Sequence, residues 1–211
     1  MSLFDISYSL AKATTYSLLI SLSFSILIAV FKDKKFSLIT LYLLIAFLFE
    51  NLGGYIAQKY GYNLFMMPLF YFFDYFFWSR FFAQFTTGIK KYFKWVDSFV
   101  IIYLVIEMFS FYNGKGYLII PGGSVFCLCT LLVLMSSYLL DLKLETPSDW
   151  AFFSILFLLT TICVFFHLVM RFTVYWTDDY KYYLWMFKNI FVHIFYLFLP
   201  FYQWKNARTP I

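Results

Sequence analysis

Charge is scarce in this chain. Of its 211 residues only 13% are Asp, Glu, Lys or Arg, whereas 63% are hydrophobic and 27% aromatic. A water-soluble domain of this length needs far more charge to cover its surface, so a soluble globular fold is excluded. Histidine is scarcer still, with His167 and His193 as the whole supply. A zinc hydrolase buried among helices takes about three protein ligands, usually histidines. A mixed set of His167, His193 and Asp74 falls short of that pattern, and so does a pair of axial haem ligands. HExxH, GxSxG and a glycine-rich phosphate loop are all missing. Cys127, Cys129 and Cys163 lie inside apolar segments, and an odd, buried set is no disulfide framework. No basic run is long enough to suggest nucleic acid. The expectation is therefore no cofactor, no metal, no nucleic-acid partner and no catalytic constellation.

Long apolar runs are what remain. Runs of about 17–25 residues mark spanning helices, and seven can be drawn, at about 14–31, 36–55, 64–85, 96–112, 117–140, 150–173 and 182–202. They are continuously apolar and do not alternate, which argues against a β-barrel. No basic region precedes the first run and no cleavage site follows it, so that run reads as a retained span. Thr146-Pro147-Ser148-Asp149 suits a helix start, with a capping Thr, Pro in the first turn and an acid near the N-terminus. The expected fold is all-α: a single polytopic bundle of seven transmembrane helices over 1–211. Short loops leave no room for a soluble catalytic domain.

The short loops also predict orientation. One side holds Lys32, Lys34, Lys35, Lys90, Lys91, Lys94, Lys143, Lys205 and Arg208; the other holds Lys12, Lys59, Lys115 and Lys181. Nine against four places the N-terminus outside and the C-terminus in the cytoplasm, in a cell inner membrane. A faint internal match, Phe36-Ser37-Leu38-Ile39 with Phe153-Ser154-Ile155-Leu156, sets Glu50 opposite His167 and suggests a parallel repeat of the kind some transporters carry.

An ionisable side chain inside a span costs at least a few kcal/mol and takes a partner or a wet cavity. With a rise of about 1.5 Å per residue, Glu50 lies roughly 21 Å from the cytoplasmic end of its span, Asp74 roughly 15 Å from the outer end and Lys188 roughly 9 Å from the outer end. Glu107, His167, Arg171 and His193 fall at the midplane or beyond it, with Asn51 and Asn189 beside this group. The expectation is a polar cavity in the outer half, with Asp74 and Glu50 as partners for Lys188 and Arg171. The competing reading is a set of interhelical ion pairs that fix packing and bind nothing. Lys188 and Asp74 are the residue types of a retinal lysine and its counter-ion, but Lys188 lies too near the outer end. Arg80 and Asp97, near the cytoplasmic ends of consecutive spans, read as a structural ion pair. Pro68, Pro121 and Pro200 sit inside spans, where they can bend helices. Gly53-Gly54 either allow close packing or end the second helix.

Glu50-Asn51-Leu52-Gly53-Gly54-Tyr55, then Tyr62-Asn63-Leu64-Phe65, an acid at Asp74 within an aromatic helix, Trp150 and Leu184-Trp185-Met186-Phe187-Lys188-Asn189 form a recurring pattern. Over roughly 14–204 it resembles an uncharacterised family of small seven-helix inner-membrane proteins of Bacteroidota. The resemblance implies a compact seven-helix unit, sometimes encoded beside signalling kinases. It also implies a histidine where this chain has Lys188. Three functions are consistent with these readings. The first is a sensory or accessory subunit that binds a small ligand, lipid or partner protein through the outer cavity. The second is a proton-coupled transporter using the intramembrane carboxylates, and the third a structural subunit of a larger complex. The lipid bilayer is the one certain partner.

Overall fold

The computed structural model describes residues 2–33, 37–60, 66–83, 93–112, 122–141, 147–170 and 178–206. All secondary structure among them is helical. The elements are α1 (Leu3–Ile28), followed by a π-helical turn (Ala29–Asp33), then α2 (Leu38–Tyr60), α3 (Met66–Ala83), α4 (Phe93–Tyr112), α5 (Gly122–Asp141), α6 (Pro147–Met170) and α7 (Asp178–Asn206). Four stretches are long and apolar enough to cross a bilayer: Leu3–Lys32, Leu38–Tyr60, Asp149–Phe166 and Tyr182–Lys205. The shortest, at 18 residues, is about 27 Å long, close to the ~30 Å hydrocarbon thickness. The protein is a multi-pass helical membrane protein in contact with lipid.

Helices α1, α2 and α7 reach beyond the apolar runs that mark them. Ser2 caps α1: its hydroxyl accepts from the Asp5 backbone N–H, while the Asp5 carboxylate accepts from the Ser2 N–H. This reciprocal capping box starts the helix well before Thr14, and Lys12, assigned above to an outer loop, becomes a helical residue over the Tyr8 ring. The Gly53-Gly54 pair does not end α2, which continues to Tyr60. Gly53 is buried, whereas a side chain at Gly54 would meet nothing within 4 Å. Pro68 falls in the first turn of α3, where the backbone N–H it lacks would have no helical acceptor. Pro200 lies inside α7. Pro121 and the basic residues Lys34, Lys35, Lys90, Lys91, Lys115, Lys143 and Arg208 lie outside the described residues.

Residues group into two compact units, one of 1–56, 145–159 and 176–211, the other of 57–144 and 160–175. In the first unit α1 packs along α7. Phe4 meets Tyr182, Ser17 meets His193 and Ser25 meets Gln203. Both numbers rise together, so the first and last helices run parallel. The buried residues of α1 are Ser7, Thr14, Leu18, Ser21, Leu22 and Ser25. Ser7, Thr14 and Ser21 repeat every seven residues, and Leu18 and Ser25 do the same on the adjoining row. Small side chains on one stripe let helix backbones approach where lipid supplies no hydrophobic drive for association. Helix α2 runs against α7, with Thr40 beside Gln203 and Tyr42 edge-on to Phe195. Helix α6 begins where α7 finishes: Asp149 accepts from the Tyr202 hydroxyl, and the Phe152 and Tyr202 rings stack at 4.2 Å.

The end of the first unit near Gln203 is closed by a ring of hydrogen bonds. Ser25 Oγ donates to Gln203 Oε1, Gln203 Nε2 donates to Thr40 Oγ1 at 3.3 Å, and Thr40 and Ser25 hydroxyls lie 2.7 Å apart. With Ser25 donating to the amide, Thr40 donates to Ser25 and the circuit closes. A second Gln203 N–H reaches the Ser25 carbonyl at 3.3 Å. Ser37, which caps α2 by accepting from the Thr40 N–H, adds a hydroxyl 3.0 Å from Thr40 Oγ1. Every polar atom of this buried group is used, which is the condition under which a polar network strengthens a core.

In the second unit α3, α4 and α5 pack against one another. Tyr71, Tyr75 and Trp78 form the buried row of α3 at i, i+4 and i+7, and Cys127, Leu128, Leu131, Leu134 and Met135 form that of α5.

Replacing Gln203 by Leu leaves the Ser25 and Thr40 hydroxyls without their amide partner in a buried setting. The expected cost is about 1–3 kcal/mol, read as an earlier unfolding midpoint in a denaturing-detergent titration of the purified protein. Gln203→Glu, which keeps an acceptor but loses the N–H donors, should fall between Leu and wild type at low pH.

Candidate functional site

The candidate residues divide between the two units. Glu50, Asn51, Lys188, Asn189 and His193 belong to the first. Asp74, Arg80, Asp97 and Glu107 belong to the second, as does position 167. The side chain of His167 and all of Arg171 lie outside the described residues.

His193 is the best-defined of them. It sits half-buried on α7 between two groups of α1, with Nδ1 2.8 Å from Ser17 Oγ and Nε2 3.0 Å from the Leu10 carbonyl. A carbonyl only accepts, so Nε2 carries a proton. In the neutral ring Nδ1 is then the acceptor, and the Ser17 hydroxyl donates to it. Protonation would reverse that second bond, because both ring nitrogens of an imidazolium donate. The side chain thus ties the last helix to the first through a bond whose direction depends on its charge. One turn earlier Asn189 is buried. Lys188, half-buried, places its ammonium 5.2 Å from the Trp185 ring centroid and acts electrostatically on Glu50, which is exposed on α2. Asn51 is exposed too; its amide donates to the Phe47 carbonyl of its own helix at 2.7 Å.

In the second unit Arg80 and Asp97 form an ion pair. Asp97 also accepts from the Tyr75 hydroxyl at 2.9 Å, so one carboxylate of α4 holds two side chains of α3. Tyr75 is fully buried, while the Arg80 side chain is 43% exposed. The guanidinium packs over the Phe76 ring, 4.9 Å from its centroid, and donates to Ser79 Oγ at 3.2 Å. In the same unit the carboxylates of Asp74 (α3) and Glu107 (α4) act electrostatically on the thiol of Cys127 (α5). Glu107 and Cys127 are buried and Asp74 half-buried. Cys129 is exposed, so the three cysteines are not a uniformly buried set.

Several interacting residues escape a reading by charge. Ser17, Ser25, Ser37, Thr40, Tyr75 and Gln203 are uncharged, and hydroxyls are common in spanning segments. The usable signals are the spacing of Ser17, Ser21 and Ser25 at i, i+4 and i+8 and the amide of Gln203 late in an aromatic span. Among the described residues no group of three or more His, Cys, Asp or Glu is arranged to hold a metal ion. No family model matches the chain, and no curated protein and no solved structure matches it either.

The Tyr75–Asp97–Arg80 cluster separates by substitution. Asp97→Asn should cost about 2 kcal/mol, in the range of bonds to charged groups, and Tyr75→Phe about 1 kcal/mol. In the double variant the two costs should fall short of adding, because Asp97→Asn already weakens the charge-assisted bond that Tyr75→Phe removes; a thermal or detergent unfolding series checks this.

Proposed function

We propose that this chain is a sensory or accessory subunit of a cell inner membrane, crossing it seven times with its N-terminus outside and its C-terminus in the cytoplasm. The carrying observation is His193, which locks the parallel first and last helices together through a charge-sensitive bond. A ligand or a neighbouring protein that takes Ser17 or the Leu10 carbonyl from the imidazole would loosen α7 from α1, and the change would be delivered at the helix ends that bear Lys32 and Lys205. Membrane proteins that relay a signal act through a helix contact that a ligand or partner can bias rather than through a reaction centre.

Helix direction supports the crossing number. Helices α1 and α7 point one way and α2 the other, and α6 begins beside Tyr202, near the end of α7. The chain from α2 to α6 must then make a net single return across the bilayer, so one or three of α3, α4 and α5 cross. Each has 18 or 20 residues, about 27–30 Å of helix, which suits three crossings and seven in total. Lys32 and Lys205 fall at the same end of the first unit, in keeping with a cytoplasmic, lysine-rich side. The resemblance to small seven-helix proteins of Bacteroidota, sometimes encoded beside signalling kinases, suggests a signalling protein as the partner.

A second reading rests on the buried carboxylate of Glu107, grouped with Asp74 at Cys127. Intramembrane carboxylates of this kind serve as proton relays in carriers. Reconstitution distinguishes the two. Purified protein in vesicles with an imposed pH gradient and a potassium–valinomycin potential should pass no more protons than protein-free vesicles. A proton flux that disappears in Glu107→Gln would overturn the accessory reading in favour of transport.

A further inference from the structure

A groove of about 440 Å³ runs between α1 and α7 on the surface of the first unit. Its walls include Ile20, Ser21 and Phe24 on α1 and Pro200, Phe201 and Trp204 on α7. The volume is that of a small-molecule site. Phe24, Phe201 and Trp204 are 58%, 44% and 46% exposed, so the groove opens outward, toward lipid in a membrane.

Two further features say what fills it. The first is charge. Lys32 places its ammonium 4.5 Å from the Trp204 ring centroid, and Lys205 places its own 5.7 Å from that of Phe201. Both rings are groove walls, so two cations from different helices stand over one end of an apolar channel. The second is Ser21. Its residue is 1% exposed, and its hydroxyl has no hydrogen-bond partner. Other helical hydroxyls here solve that problem by donating to the carbonyl four residues back, as Ser23, Ser110, Thr130 and Ser136 do. Ser21 does not, and it lines the groove. Apolar walls with two ammonium groups at one end match an acyl chain and an anionic headgroup, and the unused hydroxyl of Ser21 lies toward the groove's other end.

We propose that this groove is a specific binding site for one phospholipid with an anionic headgroup. Lys32 and Lys205 hold the phosphate, with Trp204 and Phe201 beneath them. One acyl chain lies along Phe24 and Pro200 toward Ser21 and Ile20. Because the lipid touches both α1 and α7, it bridges the same helix pair that His193 joins.

The test is native mass spectrometry of the full chain in detergent, titrated with phosphatidylglycerol or phosphatidylcholine of identical chains. Wild type should retain one phosphatidylglycerol about tenfold or more in preference to phosphatidylcholine, the size expected of two lysines near an anionic group. Lys32→Gln with Lys205→Gln should abolish the preference. Ser21→Leu, which fills the groove, should lower retention of both lipids. Lys59→Gln, a surface lysine packed over Tyr60, should change nothing, and helical circular dichroism shows that each variant is folded. Equal retention of the two lipids by wild type overturns the proposal. So does a preference that survives in the double lysine variant, or a groove filled by a second copy of the chain, seen as a dimer that Ser21→Leu dissociates.

Discussion

Inside a bilayer no water is at hand to satisfy a polar group, so a hydroxyl, amide or imidazole in a span is costly unless it finds a partner in the protein. That constraint decides how the first and last helices meet. Lipid tails are as apolar as leucine, so burying aliphatic side chains between helices gains little. The contact between α1 and α7 is instead made of small residues that allow approach and polar residues that fix register. His193 reaches Ser17 and the Leu10 carbonyl, and Gln203 reaches Ser25 and Thr40. Both sets would be left unsatisfied by sliding one helix a single turn along the other, so together they specify one alignment.

The same economy holds in the second unit with charge in place of hydroxyls. Asp97 takes two donors from α3, one of them the hydroxyl of fully buried Tyr75. Breaking such a cluster costs more than the pair itself contributes, because the remaining partner stays desolvated. These contacts are brackets between helices.

The helical class and the membrane setting were legible in the apolar runs, since hydropathy reports directly on solvent. Helix ends were less so: the Ser2–Asp5 cap carries α1 far outside its apolar run, and α2 passes through Gly53-Gly54 because packing, not propensity, holds it. Arg80 and Asp97 could be paired on paper because a short connection brings consecutive helix ends together. Tyr75 could not, since nothing in sequence says which ring of an aromatic helix faces the next helix. The α1–α7 seam was illegible for a stronger reason. It joins residues about 180 positions apart, with separations of 176 and 178 in the two side-chain contacts, through neutral groups that hydropathy scarcely registers. Attention to charge led to Glu50 and Asn51, which are exposed, and passed over Ser25, Thr40 and Gln203, which are buried.

Parallel packing of the first and last helices is the claim on which helix alignment, crossing parity and the groove all rest. Cross-linking in a variant free of Cys127, Cys129 and Cys163 tests it directly. Cysteines at positions 4 and 182, in place of Phe4 and Tyr182, should be joined rapidly by a short bifunctional thiol reagent in native membranes, while the pair at 4 and 204 should not react. Efficient joining of 4 to 204, with 4 to 182 unreactive, would mean that the helices run antiparallel and would contradict the account.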